Sequence, residues 1–261
     1  MNFRPFETLR CWARTAAVKR LIVILAIAAV LSSATATHIF AQDRHFTKRY
    51  PARKSIRLHL INRTGTILVE AWDRPRIELD AHMEAPAAHC APEMDNDVLT
   101  INIVRDNQRS DVGNVNFRIR VPVDSEVDLE TKQGNITVRG VRGQLVRAHV
   151  SSAGDIELTG IRATAVMARN MTGDILFDGE LLAEGTYELT SIQGIINLRI
   201  PSDSAFRLMA TAPLTRNINL GGFARFFNAA EDKRRVVGNV GNGRATLTVT
   251  NHRGPISFMY R

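Results

Sequence analysis

The chain has 261 residues, of which 44% are hydrophobic and 6% are aromatic, and its formal net charge is +8. The positive charge is concentrated before residue 64: residues 1–20 carry +4 and residues 42–63 carry +6, whereas residues 64–261 carry −2. A nucleic-acid-binding domain needs a basic surface on the folded domain itself, so this distribution argues against nucleic acid as a partner.

The first 41 residues have the layout of an export signal. Basic residues within 1–20 precede the apolar run Leu21–Leu31, and small residues follow it, with an Ala34-x-Ala36 cleavage site. Residues 21–41 contain no Asp, Glu, Lys or Arg, so the alternative is an uncleaved membrane-spanning helix. We therefore predict one N-terminal hydrophobic helix over residues 21–41, acting as signal peptide or membrane anchor. In both cases residues 1–20 stay in the cytoplasm and residues 42–261 are exported.

A second basic segment spans residues 42–56. We interpret it as a solvated linker between the hydrophobic helix and the folded domain. The alternative is contact with anionic lipid headgroups, worth about 1 kcal/mol per positive charge near such a surface. Tyr50-Pro51 would interrupt any helix there.

Residues 57–261 contain a repeated phrase of glycine, a small residue, Ile, any residue and an apolar residue. The apolar residues after the glycine alternate with polar ones, which is the pattern of a strand with one buried face. The stretch before each glycine alternates in the same way, so each unit is a pair of short strands joined at the glycine. Four successive glycines are separated by 20, 19 and 21 residues: Gly134, Gly154, Gly173 and Gly194.

The phrase recurs at Gly65 and Gly254, and a degenerate copy has Arg216 in the place of the glycine. A two-strand unit cannot bury its apolar face alone, so neighbouring units must stack. We predict an all-β solenoid, a β-helix-like stack over residues 57–261, and a bulge at Ser151–Ala153 where one unit is out of step. A β-sandwich of regular hairpins is the structural alternative. The predicted corners of the repeats are Gly65, Gly134, Gly154, Gly173, Gly194 and Gly254.

Polar residues that could carry chemistry are few. Asp155 and Asp174 occupy equivalent places in successive repeats, one unit after Asn135. Such a ladder could bind a cation or, with Glu157, supply the paired carboxylates of a polysaccharide-acting enzyme. Asp and Asn are also favoured turn residues because their side chains bind nearby backbone groups. We favour the turn interpretation and predict no catalytic residue, cofactor or metal, since no nucleophile elbow, P-loop or dinucleotide motif is present.

The histidines do not form a recognisable metal motif. Their only local cluster, within residues 80–90, matches no familiar ligand spacing, and Pro86 and Pro92 mark the region as a loop between strands. We therefore expect this segment to form a surface loop.

One segment, residues 221–235, breaks the repeat and contains three of the few aromatic residues. We interpret it as a lid over an end or side of the stack, because open β stacks must protect their edges. The alternative is a partner-binding lip, since clustered exposed aromatic residues mark interaction sites. The partner-binding candidates are therefore Phe223, Phe226 and Phe227.

The run Val121–Val138, with a Val-Pro step followed by Thr131-x-x-Gly134-Asn-Ile, resembles the "putative adhesin" domain of exported bacterial proteins. In that family such phrases recur about every twenty residues, and the resemblance covers about residues 57–261. The chain departs from the pattern at Ile195, Arg216 and Pro255. The resemblance implies a β-solenoid-like exported domain and brings no catalytic residues with it.

We therefore expect a non-enzymatic domain in the periplasm or on the bacterial cell surface that contacts a protein or glycan of the envelope. One alternative is a polysaccharide lyase or hydrolase built on a β-helix. The other is a structural envelope protein that self-assembles through the ends of its solenoid.

Overall fold

The computed structural model describes residues 43–53, 55–109, 111–227 and 234–261. The predicted cytoplasmic segment 1–20 and the hydrophobic helix predicted over 21–41 therefore lie outside the described residues. Among the residues that are described, no helix has the length and apolar composition needed to cross a bilayer.

The described residues form twenty strands and two short helical turns. The first ten strands are β1 (Arg44–Pro51), β2 (Arg57–Thr64), β3 (Ile67–Trp72), β4 (Arg76–Met83), β5 (Glu93–Asp95), β6 (Val98–Asn102), β7 (Val115–Pro122), β8 (Glu126–Gln133), β9 (Ile136–Arg139) and β10 (Leu145–Ala153). The others are β11 (Ile156–Ile161), β12 (Ala165–Thr172), β13 (Ile175–Gly179), β14 (Thr186–Gln193), β15 (Ile196–Ile200), β16 (Phe206–Thr211), β17 (Ile218–Asn219), β18 (Arg235–Val240), β19 (Ala245–Asn251) and β20 (Ile256–Tyr260). The helical turns are α1 (Ile103–Asp106) and the 3₁₀ helix η1 (Gly221–Phe226).

The strands form two ten-stranded sheets that are parallel through their centres. Sheet A has the order β1-β4-β7-β3-β9-β11-β13-β15-β20-β17, and sheet B has the order β18-β16-β19-β14-β12-β10-β8-β2-β6-β5. Each central repeat places its first strand in sheet B and its second in sheet A, so consecutive strands do not pair with each other. This arrangement confirms the predicted β-solenoid and excludes a sandwich of regular hairpins.

The core lies between the two sheets and follows from the alternation in the sequence. Residues at the same position of successive repeats are aligned across each sheet, and their inward side chains are almost completely inaccessible to solvent. Burying one such aliphatic or aromatic side chain contributes about 1.5–3 kcal/mol. One aligned row in sheet B is Val127, Val146, Val166, Tyr187 and Leu247, and one in sheet A is Ile136, Ile156, Ile175, Ile196 and Ile256.

The order of the coils in the stack differs from their order in the chain at both ends. Coil β2–β3 lies between coils β6–β7 and β8–β9. Coil β19–β20 likewise lies between coils β14–β15 and β16–β17. The first and last repeat phrases of the sequence are therefore interior coils, and each is covered by a coil that lies nearer to the middle of the chain.

The outermost strands break the parallel pattern. At one end β1, β4 and β7 pair antiparallel in sheet A and β5 pairs antiparallel with β6 in sheet B. At the other end β18 pairs antiparallel with β16. Because a capped end cannot continue the parallel stack, this geometry does not favour end-to-end growth of the solenoid.

The predicted linker over residues 42–56 differs from the structure, because Arg44–Pro51 is an edge strand. It pairs along its whole length with β4, and Tyr50 is only 6% exposed. The backbone groups of β4 require a partner on this side, and β1 supplies it. The sequence hides this strand because charged residues, such as Lys48 and Arg49, are exposed along it, as is common on edges that must resist further pairing.

The predicted bulge is confirmed in β10. Its register shifts between Val150 and Ala153 against both neighbouring strands, β8 and β12. The extra residue is absorbed there, so the coil returns to the common phase before Gly154.

The six repeat glycines form one column at a corner of the solenoid. A Cβ atom on Gly154, for example, would overlap the carbonyl oxygen of Gly134 in the preceding coil, and Gly154 has φ of +149°. Only glycine combines a positive φ with such a close approach between backbones. The members of this glycine column, in stacking order, are Gly65, Gly134, Gly154, Gly173, Gly194 and Gly254.

We expect Gly154→Ala to lower the free energy of unfolding by more than about 3 kcal/mol, because the new methyl group must displace the backbone of the neighbouring coil and the residue must keep an unfavourable φ. The matched control is Gly140→Ala. Gly140 also has a positive φ, +73°, but the nearest atom to an added Cβ, that of Ala71, is 3.7 Å away. Its expected cost is only the backbone term of about 1–2 kcal/mol. Urea unfolding of both variants measures the difference, and equal losses would contradict close packing at the column.

Candidate interaction surfaces

A buried polar column lies inside the glycine corner. The Asn170 side-chain amide donates to the carbonyl of Gly154 at 2.7 Å, and that of Asn251 donates to the carbonyl of Gly194 at 2.9 Å. These bonds satisfy corner carbonyls that the strand ladders leave free. This column was not predicted from the sequence. Its sequence signal is a polar residue three positions before each repeat glycine, at a place where the alternation puts the side chain on the buried face of the strand. Its buried members are Asn62, Thr131, Asn170, Ser191 and Asn251.

The predicted carboxylate ladder runs along the outside of the same corner. The side-chain oxygen Oδ1 of Asn135 accepts from the backbone N–H of Asp155 at 2.9 Å, and Oδ1 of Asp155 accepts from the N–H of Asp174 at 2.8 Å. Asp174 continues the ladder to the N–H of Ile195 at 2.7 Å. Each carboxylate therefore binds a backbone group of the next coil. The side chains act as structural turn residues, as predicted, but the backbone groups that they bind belong to the neighbouring repeat.

This geometry offers no paired carboxylates across a cleft. Glu157 lies on the outer face of sheet A, with an oxygen 3.5 Å from Nη2 of Arg139. Within the described ranges, no three His, Cys, Asp or Glu side chains are placed to hold a metal ion together. Members of the cluster within residues 80–90 are separated as well, since Asp80 contacts His45 and Glu84 accepts from Asn114.

The aromatic segment covers the end of the core rather than forming a lip. Phe223 of η1 is fully buried and packs edge-on against Phe206, Phe258 and Tyr260, with ring centroids 5.4, 6.5 and 4.7 Å away. Because β17 has only two residues, η1 is needed to shield β20 from water. Phe223 is therefore not available to a partner, and its prediction as a partner-binding residue differs from the structure.

The other two candidates differ from Phe223 in exposure. Phe227 is partly buried against the core. Phe226 is 41% exposed, and the Arg225 guanidinium lies 4.8 Å from its ring centroid. Of the three predicted residues, only Phe226 presents much of its side chain to solvent.

A second aromatic site lies at the turn after β3 and was missed in the sequence. The Trp72 indole N–H donates to the carbonyl of Arg76 at 2.9 Å. The guanidinium carbons of Arg74 and Arg76 lie 5.1 Å from its ring centroid, and that of Arg120 lies 5.7 Å away. The sequence signal for this site is weak, because it consists only of a tryptophan followed by Asp-Arg-Pro at a turn. Arg120 comes from β7, which is distant in the chain.

This tryptophan borders a small open cleft, here called the Trp72 cleft. Its volume is about 260 Å³, and it combines an indole ring, a guanidinium group, two carboxylates and two prolines. Arg120 is held in place from the other side by Glu78 at 3.0 Å. The cleft residues are Trp72, Asp73, Arg74, Pro75, Pro122, Val123 and Asp124.

A row of exposed apolar residues lies beside the glycine column, in the half of the stack nearer to η1. Met171 and Ile192 stand two residues before Gly173 and Gly194 and are 48% and 41% exposed. Ile195, at the place of Asp in the ladder, is 39% exposed. Earlier coils carry Arg63 and Lys132 at the position of Met171, so the apolar character is confined to the later coils. Met171, Ile192, Ile195 and Leu214 are together called the corner ridge.

We expect Phe223→Ala to lower the free energy of unfolding by about 3–5 kcal/mol, because it leaves a cavity among three aromatic rings. Phe226→Ala in the same helix is the matched control and should cost less than about 1 kcal/mol, since that ring is largely exposed. Chemical denaturation of the two variants tests the assignment. Similar losses for both would show that η1 is not a cap.

Comparison with known proteins agrees with this architecture. No curated protein matches the sequence. The crystal structure of a protein described as a "putative cell adhesion protein" from Clostridium sporogenes ATCC 15579 is similar in fold, with a TM-score of 0.50 and 10% identity over 84% of this chain and 100% of that one. A "putative adhesin" from Bacteroides fragilis NCTC 9343 has a TM-score of 0.34 and 13% identity over 84% of this chain and 99% of that one.

The family assignment rests on a longer match in sequence. The model of the family described as Toastrack DUF4097 matches residues 63–258, which include all of the repeat glycines. This match confirms the resemblance inferred from the Val-Pro step and the Gly-x-Ile phrases. The chain belongs to the Toastrack DUF4097 family.

Proposed function

We propose that this chain is an exported, non-enzymatic domain that mediates interactions in the bacterial envelope or at the cell surface by binding a protein or a glycan. The observation that carries the proposal is the use of Asp155 and Asp174 as backbone acceptors between coils. These carboxylates were the best candidates for hydrolytic chemistry, and their geometry gives them a structural role. The adhesion-related name of the Clostridium sporogenes protein, which is similar in fold, supports the same class of function.

The Trp72 cleft is the proposed contact for the partner. Its two prolines and Val123 offer apolar surface beside the indole ring, Arg74 offers donors, and Asp73 and Asp124 offer acceptors. An apolar surface with a few convergent polar groups is typical of small binding sites. A volume of about 260 Å³ suits a single sugar residue or one side chain of a protein partner rather than a large ligand.

The proposal includes export through residues 21–41, either cleaved after the small residues or retained as an inner-membrane anchor. The basic residues that precede the apolar run support this orientation. Most of the second basic segment forms the edge strand β1, in which Arg49 pairs with Glu78 at 2.8 Å. That pairing draws one of its positive charges toward the folded domain rather than toward a membrane.

Export is tested with the full chain carrying a C-terminal tag in a bacterial host. We expect external protease to remove the tag from intact cells if the domain is on the surface, or only after the outer membrane is permeabilised if it is periplasmic. Protection until the inner membrane is lysed would contradict export. A cytoplasmic protein digested under the same conditions is the control for lysis, and the tagged band shows whether the first 36 to 41 residues have been removed.

Binding is tested with the detergent-solubilised full chain and separated envelope polysaccharide, peptidoglycan and envelope protein. We expect binding to one fraction, and at least a tenfold weaker affinity for Trp72→Ala, equivalent to about 1.4 kcal/mol. Phe226→Ala, which removes an exposed ring elsewhere, should bind as the unmodified protein does. Turnover of the polysaccharide that is lost in Asp155→Asn would contradict a non-enzymatic role.

A further inference from the structure

Met171 lies on coil β12–β13, and Ile192 and Ile195 lie on the adjacent coil β14–β15. Leu214 lies on coil β16–β17, from which these two are separated by coil β19–β20, with His252 at the equivalent position. Asn170 and Ser191 are aligned partners in neighbouring strands, and Met171 and Ile192 follow them directly. Ile192 and Ile195 flank the same corner glycine, Gly194. Leu214, which is 67% exposed, stands two residues before Arg216, the corner residue of coil β16–β17. Exposed apolar residues scattered singly need no explanation, but several grouped at one corner of neighbouring coils mark an interaction surface.

Charged residues are distributed unequally along this corner. On the side toward the N-terminal coils, Asp174 lies one coil from Gly194, and Asp155 lies two coils from it. On the other side, Arg253 lies one coil away and Arg216 two coils away. With coils about 4.8 Å apart, the outer carboxylate and the outer guanidinium are each about 10 Å from the central coil. The charges are therefore opposite in sign and equal in spacing about Gly194.

We propose that a second copy of this chain docks on the corner ridge, with the two solenoids antiparallel about a two-fold axis through the coil of Gly194. This operation places Ile192 and Ile195 against the same residues of the second copy. It also places the coil of Asp174 opposite the coil of Arg253, and the coil of Asp155 opposite the coil of Arg216. An isologous interface requires this kind of self-complementary surface.

The charges favour a second copy over other occupants. An anionic lipid surface would be repelled by Asp155 and Asp174, which are exposed on the same corner. An unrelated protein would not require a charge pattern that is balanced about one coil. Arg216 and Arg253 form no ion pair within the described ranges, so both are free to meet the carboxylates of the second copy. This inference does not depend on the Trp72 cleft and stands or falls separately from the proposed function.

The interface is short, since five coils span about 19 Å along the stack. An interface of this size belongs to the weak class. Cross-linking is therefore a better measurement than the dimer fraction in dilute solution.

Burial raises the pKa of the Cys90 thiol to about 11, with a further contribution from Asp106, so this cysteine is protonated and unreactive at neutral pH.

The test uses intact bacterial cells that express the full chain, in a background with Cys11→Ser and Cys90→Ser, and a short membrane-permeant bismaleimide as cross-linker. We expect Ile192→Cys, which lies near the proposed axis, to give at least ten times more cross-linked dimer than Val104→Cys. Val104 is the matched control because it is 44% exposed but lies on α1, away from the ridge. Equal cross-linking at the two positions would overturn the proposal.

The charge pattern is tested in the Ile192→Cys protein. Arg216→Glu together with Arg253→Glu should reduce the cross-linked dimer at least fivefold. Asp155→Asn together with Asp174→Asn should reduce it similarly, while keeping the side-chain oxygens that accept the backbone N–H groups. The asparagine pair guards against a trivial loss of folding, and unchanged cross-linking in that folded variant would overturn the antiparallel arrangement.

Discussion

The structure depends on how closely one coil approaches the next at the glycine corner. Strands in a stack are about 4.8 Å apart, and at this corner the backbone of one coil rests on the carbonyl of its neighbour, as Gly154 does on Gly134. Two sets of polar side chains complete the contact. Asn170 binds a corner carbonyl from inside, and Asp155 binds a backbone N–H group from outside. Backbone groups are thus satisfied where the chain leaves one sheet for the other.

The same constraint explains why the repeats carry little chemistry. Their charged side chains meet partners in the adjacent coil, as Arg147 does with Asp128 at 2.6 Å and Arg169 with Glu188 at 2.9 Å. These contacts form ladders along the outer faces of the sheets. Surfaces free for a partner therefore lie where the repetition is interrupted. The Trp72 cleft is at a turn near one end, and the corner ridge surrounds the place where the carboxylate ladder stops at Ile195.

The inserted coils make the whole domain depend on long-range pairing. Coil β2–β3 needs β8, about seventy residues later, and coil β19–β20 needs both β14 and β16. The end that contains β1 needs the chain as far as β9, and the other end needs the last strand, β20. The antiparallel edge strands and the Phe223 cap then close the two ends, so that a repetitive stack has a defined length.

The sequence by itself determined the repeat, because alternation and glycine spacing act over a few residues: Ile136 and Val138 must face one side, and Gly134 must turn. That was sufficient for the β-solenoid, its corner glycines and the bulge before Gly154. Only the tertiary structure decided the order of the coils, the pairing of β1, the burial of Phe223 and the meeting of Trp72 with Arg120. Each of these joins residues that are far apart in the chain, and the alternating pattern is the same whichever neighbour a strand pairs with. Local periodicity specifies which face of a strand is buried, whereas the partner is selected by packing and hydrogen bonding across the assembled stack.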